Sequence, residues 1–203
     1  MTAYKLTYFN CKGLGEAIRF IFTYGNLEFE DVRIEEADWP ALKPTMPLGQ
    51  MPILEFDGQR VFQSVAIARY VAKIVGLGGA NPLEDLKIDA IVETVIDLRT
   101  KIVDYYWEED EAVKQSRLGP LEKDTLPFYL GKLDSFVKQN NGYFALGKLT
   151  WADFHFVAVL DYLNFMMGRD VTAEYPNLQK ITKTVLNIES IKKWVAKRPV
   201  TDY

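Results

Sequence analysis

A single cysteine, Cys11, and a single histidine, His155, occur in 203 residues. One cysteine closes no intrachain disulfide, which fits a reducing compartment. His155 lies among Phe154, Phe156 and Val157, and no further ligands stand at metal-binding spacing, so no metal site is expected. The chain lacks an apolar run of about 18 residues, so no membrane-spanning helix is expected. Basic runs and RNA-binding motifs are missing and the net charge is −4, so nucleic acid is not an expected partner. Met1-Thr2-Ala3 leads straight into strand-like residues without a signal-peptide core, and the expected location is the cytoplasm. Internal repeats and low-complexity segments are absent.

Hydrophobic residues make up 48% of the chain and charged residues 26%. This supports real cores in a soluble protein, and the length holds one large or two small domains. Gly76-Leu77-Gly78-Gly79-Ala80-Asn81-Pro82 is the clearest linker, because Gly, Asn and Pro at this density end any helix. Before it, Tyr4–Phe9 reads as a strand and Asn10–Gly15 as a turn. Leu14, Ala17-Ile18, Ile21-Phe22 and Gly25 then form a helix stripe. Phe29–Ile34 reads as a second strand, followed by a loop. Beyond the linker the pattern is helical. Helices are expected from Leu83 to about Glu111, over Gly119–Asn140 with a kink or offset at Pro127, and over Thr150–Gly168, Pro176–Leu186 and Ile188–Lys197. The expected division is residues 1–78, an α/β domain, and 79–203, an all-helical one. Thr150-x-x-Asp153 reads as a capping box, with Leu149 and Phe154 as its hydrophobic staple. That role is structural.

The stretch from Pro47 to Ser64 carries most information. Ile53–Phe56 is an apolar strand run, and Asp57-Gly58 signals a two-residue hairpin turn with positive φ at both positions. Val61-Phe62 is the return strand. Ser64 is expected to cap a helix with apolar positions Val65, Ala68 and Val71-Ala72. Met51 precedes a proline and is therefore extended. Its free N–H and C=O suit pairing with a small peptide, as an added strand would. Gln63 and Ser64 stand at a helix N-terminus, where unpaired N–H groups favour a carboxylate. Together these point to a small acidic peptide ligand. An ordinary hairpin and helix is the alternative.

The order β-α-β, loop, β-β-α is thioredoxin-like. Here the chain resembles the glutathione transferases, and closely the sigma class. The resemblance rests on Tyr4-Lys5-Leu6-Thr7-Tyr8-Phe9, Asp38-Trp39-Pro40, Lys43, Gly49-Gln50-Met51-Pro52, Gln63-Ser64 with Ala66-Ile67-Ala68-Arg69-Tyr70, Asp97, and Leu149-Thr150-Trp151-Ala152-Asp153-Phe154. It runs over essentially the whole chain. It implies a thioredoxin-like domain plus an all-α domain, glutathione as co-substrate, no required metal, and a homodimer.

The resemblance also assigns roles. Tyr8 matches the catalytic tyrosine. Glutathione contacts are implied at Tyr8, Leu14, Trp39, Lys43, Gly49, Gln50, Met51, Pro52, Gln63, Ser64 and Asp97. Trp39 and Lys43 match the pair near the glycyl end, and Met51 the backbone pair with the cysteinyl unit. Pro52 matches the cis-proline, Gln63 and Ser64 the γ-glutamyl carboxylate site, and Asp97 the acid that reaches the γ-glutamyl amine across a dimer. A free thiol ionises near 8.5 and the thiolate is the nucleophile. Lowering that value by ~2 units needs about 2.7 kcal/mol. One hydrogen bond to a charged group supplies roughly 1.5–3 kcal/mol, and a helix N-terminus adds roughly 0.3–1. A phenol donor therefore suffices without a general base or metal.

Phe9, Cys11, Leu14, Tyr105 and Tyr106, with the C-terminal segment, are the candidates for an apolar electrophile pocket. Cys11 has no C-x-x-C partner, so it is read as a lining residue. The vertebrate prostaglandin D2 synthases carry basic groups at the positions of Leu14 and Gln50, and this chain departs at both. The expected function is conjugation of the glutathione thiolate to hydrophobic electrophiles, as in detoxification. The alternatives are a glutathione-dependent prostaglandin D2 isomerase and a weakly catalytic structural protein like the S-crystallins.

Overall fold

A computed structural model describes residues 3–203 of the chain. The expectation attached to Met1 and Thr2 lies outside the described residues. Four strands, β1 (Tyr4–Phe9), β2 (Phe29–Ile34), β3 (Ile53–Phe56) and β4 (Gln59–Phe62), form one sheet in the order β2-β1-β3-β4. β1 is parallel to β2 and antiparallel to β3, and β3 is antiparallel to β4. Central β1 buries Leu6, Thr7 and Tyr8 in succession, as a strand covered on both faces does. The β3–β4 turn has φ of 46° at Asp57 and 72° at Gly58, the positive pair that the dipeptide predicts. β4 starts two residues earlier than expected.

α1 (Glu16–Tyr24) is buried all round from Glu16 to Phe22. The expected stripe is too narrow because α1 packs on α3 (Ser64–Ile74) on one side and on α7 (Trp151–Met167) and α9 (Glu189–Lys197) on the other. Leu14 stands outside the helix, in the turn before it. The segment between β2 and β3, read as a loop, forms α2 (Trp39–Leu42) flanked by single 3-10 turns. Pro40, Pro44 and Pro47 open successive turns, where a missing N–H costs nothing. Ser64 does not cap α3. It is the first helical residue, and Gln63 occupies the capping position with φ 75°, ψ 105°.

The helical half also departs from the reading. α4 (Pro82–Tyr106) stops at Trp107, and α5 (Glu111–Pro120) begins where a continuous helix or a gap was expected. Asp110 makes the break, its carboxylate accepting the N–H groups of Ala112 at 2.9 Å and Val113 at 3.1 Å. A π-helical turn, Leu121–Thr125, carries α5 into α6 (Leu126–Gln139). The Pro127 ring would meet the carbonyl of Lys123 in a regular helix, and the wider turn supplies the expected offset.

α7 opens with the expected capping box. The Asp153 carboxylate accepts the Thr150 N–H at 2.7 Å, its hydroxyl at 3.0 Å and the Phe144 N–H at 2.9 Å. α8 (Pro176–Leu186) and α9 complete the fold. The Gly76–Asn81 join is tight: Leu77 is buried and its carbonyl accepts the Trp151 N–H at 3.1 Å. The buried apolar residues form one cluster running through the sheet half and the helical half.

Candidate active site

A cleft of ≈ 370 Å³ opens where β1, α2, β3, β4 and α3 meet. Phe9 and Leu14 form one wall, Trp39 another, and Gly49, Gln50, Met51 and Pro52 the backbone edge. Phe62, Gln63 and Ser64 close the end at α3. Nine of the residues expected at the site therefore converge, from positions 9 to 64. The Met51–Pro52 peptide is cis. Gln63 holds a sparsely populated backbone conformation, a strain of roughly 1–3 kcal/mol that the surroundings impose. Gln63 and Ser64, at the start of α3, both line the cleft. Lys43 borders the cleft indirectly: a Cβ on Gly49 would lie 3.4 Å from the Lys43 Cγ, while the residue is exposed.

Tyr8 is buried and is not among the residues lining the cleft; its ring lies 5.7 Å from that of Phe9, which does line it. Its hydroxyl accepts the Leu14 N–H at 3.1 Å. With that lone pair engaged, the phenolic proton is the donor left to point elsewhere. Burial pushes the Tyr8 phenol up, above its usual value. It is therefore a hydrogen-bond donor at neutral pH and not a base.

The turn that presents Leu14 has residues the sequence reading missed. A Cβ on Gly15 would lie 2.7 Å from the Tyr8 ring, and one on Gly13 would lie 2.8 Å from its hydroxyl. Only glycine lets this turn close on the tyrosine. Arg19 donates through Nη1 to the Cys11 carbonyl at 2.7 Å, and through Nε to Asp31 at 2.9 Å. The available signal was two glycines flanking Leu14, with Glu16 and Arg19 inside an otherwise apolar helix.

Other expected residues stand elsewhere. Cys11 does not line the cleft, and burial pushes its thiol up, away from the reactive thiolate. Tyr105 and Tyr106 do not line it either. Tyr106 packs on Trp107 at 5.0 Å and on Phe165 at 5.7 Å, and the Lys114 ammonium lies 5.8 Å and 5.5 Å from the Tyr105 and Tyr106 rings. Tyr203 joins that aromatic group through Phe165 and Tyr162, and its carbonyl accepts the Lys12 N–H at 2.7 Å. Tyr106, Tyr162 and Tyr203 thus form an aromatic group with Phe165 of α7. Asp97 is exposed on α4 and away from the cleft lining. Asp85, Asp89 and Glu93 precede it at four-residue spacing and pair with Lys73 and Arg69 of α3. Asp97 continues the row, without an ion-pair partner among the described residues.

His155 is buried with neither ring nitrogen bonded, and burial lowers its pKa to about 4. Among the described residues no group of three or more His, Cys, Asp or Glu is placed to hold a metal. Among the described residues no helix is long and apolar enough to cross a membrane.

Residues 4–73 match the glutathione S-transferase N-terminal domain, and residues 96–198 match the glutathione S-transferase C-terminal domain. The chain belongs to the glutathione S-transferase family. This glutathione S-transferase is 52% identical over 200 residues to glutathione S-transferase S1 of Drosophila melanogaster, covering 98% of this chain and 80% of that protein. It is 39% identical over 203 residues to hematopoietic prostaglandin D synthase of Gallus gallus, covering 99% of each. The structure of prostaglandin synthase D of Nilaparvata lugens superposes with a TM-score of 0.93 at 44% identity, over 98% of this chain and 100% of that one. The fold class and the glutathione-dependent transferase expected from the sequence stand with that membership.

Proposed function

We propose that this enzyme is a sigma-class, cytoplasmic, homodimeric glutathione transferase that adds the glutathione thiolate to hydrophobic electrophiles. The observation that carries the reading is the Tyr8 hydroxyl, which accepts the Leu14 N–H and keeps its own proton for a sulfur beside the cleft. Glutathione lies along the Gln50–Met51 edge, its cysteinyl unit paired with the Met51 backbone. Its γ-glutamyl carboxylate meets Gln63, Ser64 and the N-terminus of α3. Its glycyl end meets Trp39 and Lys43. Asp97 of a second copy holds the γ-glutamyl amine. The division between the glutathione-binding domain and the helical domain falls near residue 78.

The isomerase reading draws support from the prostaglandin synthase relatives. Leu14 and Gln50 both line the cleft, and neither is charged. An apolar wall discriminates by only about 1–3 kcal/mol per methylene, so broad electrophile use is favoured. The test is retention on glutathione-agarose, then kcat/KM of the eluate for an aryl halide, an alkenal and prostaglandin H2. Broad conjugation with weak isomerisation is expected. Retention without turnover would favour the structural reading, and a hundredfold preference for the prostaglandin would overturn the conjugation reading.

A further inference from the structure

A chain of buried charges runs from α9 to the catalytic turn. The Trp194 indole N–H and Arg198 Nη1 each donate to Glu16 Oε1 at 2.7 Å. Glu16 Oε2 accepts from Arg19 Nη1 at 3.2 Å, and both side chains are fully buried. Arg19 Nη1 then holds the carbonyls of Cys11 at 2.7 Å and Lys12 at 3.4 Å. Two residues on, the same turn carries the Leu14 N–H that engages Tyr8. On the far side, Asp31 joins Arg19 to Arg33 at 2.9 Å each, and Arg33 reaches Asn10 at 3.5 Å. Asp161 of α7 ties Arg198 to Lys12 at 3.3 Å and 3.2 Å.

Packing alone does not call for this arrangement. A buried ion pair is often matched or exceeded in stability by apolar residues of the same volume. The turn faces carboxylates as well as cations, because Glu35 accepts from Asn10 at 2.9 Å and Glu36 acts on Cys11, so it is the hydrogen-bond geometry and not a net sign that links the network to Tyr8. An N–H bonded to the Tyr8 oxygen fixes its rotor and polarises its O–H, which strengthens the bond that the phenol can donate.

We propose that Arg19 is a positioning residue for thiol activation, and that the helical domain sets it through Glu16, held by Trp194 and Arg198. The inference rests on the reading of Tyr8 as the donor to the glutathione sulfur. It adds that the strength of this donor is governed from α9, in the half of the chain that does not hold glutathione.

The test uses the full chain with glutathione bound. Trp194→Phe removes one N–H and keeps an aromatic ring. Arg198→Met removes the charge and keeps the stem. Tyr8→Phe is the reference. Thiolate absorbance of bound glutathione is titrated against pH, with glutathione Kd and Tm measured alongside. Both α9 variants should leave Kd within about twofold. They should raise the pH of thiol ionisation by about 0.5–1 unit. Turnover near pH 6.5 should fall about two- to fivefold and recover as the pH passes the new value. A lowered Tm with a titration superimposable on wild type would make the network purely structural and overturn the inference. Should Arg198→Met not fold, Trp194→Phe decides. If Tyr8→Phe itself leaves the titration unchanged, the reading of Tyr8 fails first, a result distinct from an α9-only failure.

Discussion

The role proposed for Tyr8 rests on what surrounds its oxygen. Gly13 and Gly15 let the turn approach, the Leu14 N–H takes one lone pair, and burial keeps the phenol protonated at neutral pH. Tyr8→Phe should spare glutathione affinity and lower turnover on the order of 10²-fold, from losing a charge-assisted bond of roughly 3 kcal/mol. Thiolate absorbance against pH checks it, and an unshifted titration would remove Tyr8 from the mechanism. His155 gives a second test at this scale. Its folded pKa of about 4 lies below the unfolded 6.5. Between those values the unfolded chain binds a proton that the folded chain refuses, so stability is present above pH 6.5 and is lost on acidification towards pH 4. His155's share of the loss from pH 7 to pH 5 should be about 2 kcal/mol, partly offset by Asp153, whose burial raises its pKa to about 6. His155→Leu should abolish that part of the slope. Urea unfolding at the two pH values measures it, and equal slopes in variant and wild type would assign the acid sensitivity elsewhere.

At the scale of elements, the α3 N-terminus combines backbone strain with the proposed carboxylate contact. Gln63 takes φ 75°, a conformation that glycine adopts without penalty. Gln63→Gly should therefore hold or raise stability, by about 1 kcal/mol. It should weaken glutathione binding by about tenfold, because a contact to the substrate carboxylate is lost. Gln63→Ala keeps the strain and should lose affinity with little change in stability. Both changes act far from the sulfur and should leave kcat little altered. Calorimetric titration and melting curves separate the two effects, and a Gln63→Gly protein of unchanged affinity would take Gln63 out of the glutathione site. Similar local logic shapes the helical half. Asp110 starts α5 with its own carboxylate, and Pro127 is accommodated by a π-helical turn in place of a break.

Over the whole molecule, α1 is the axis on which both halves meet, with α3, α7 and α9 all packed against it. The cleft draws its lining from the first 64 residues. Asp97 ends an acidic row on α4 whose earlier members pair with α3, and it is left facing solvent. The protein should be a C2 dimer, the commonest oligomer. Asp97→Asn should weaken glutathione by about tenfold while leaving the dimer intact. Sedimentation and calorimetric titration together decide this. A monomer fully active at assay concentration would overturn both parts.

The sequence by itself determined what a few neighbouring residues control. Asp57-Gly58 set the hairpin through its φ angles, Thr150 and Asp153 set the start of α7, and Gly76–Pro82 ended α3 and opened α4. The Gly49–Pro52 edge and the Gln63–Ser64 helix start were legible because backbone conformation and unpaired N–H groups follow from local residue types. Tertiary structure decided the rest. The positive φ at Gln63 is imposed by the elements on either side, so Ser64 lost the capping role that its type favours. Tyr106 packs on Phe165 of α7, a neighbour that sequence patterning does not reveal. Glu16 and Arg19 look misplaced in an apolar helix until Trp194 and Arg198 arrive from 178 and 182 residues away. A buried charge is tolerable only with its partners in place, and partners at that separation leave no periodic trace in the chain.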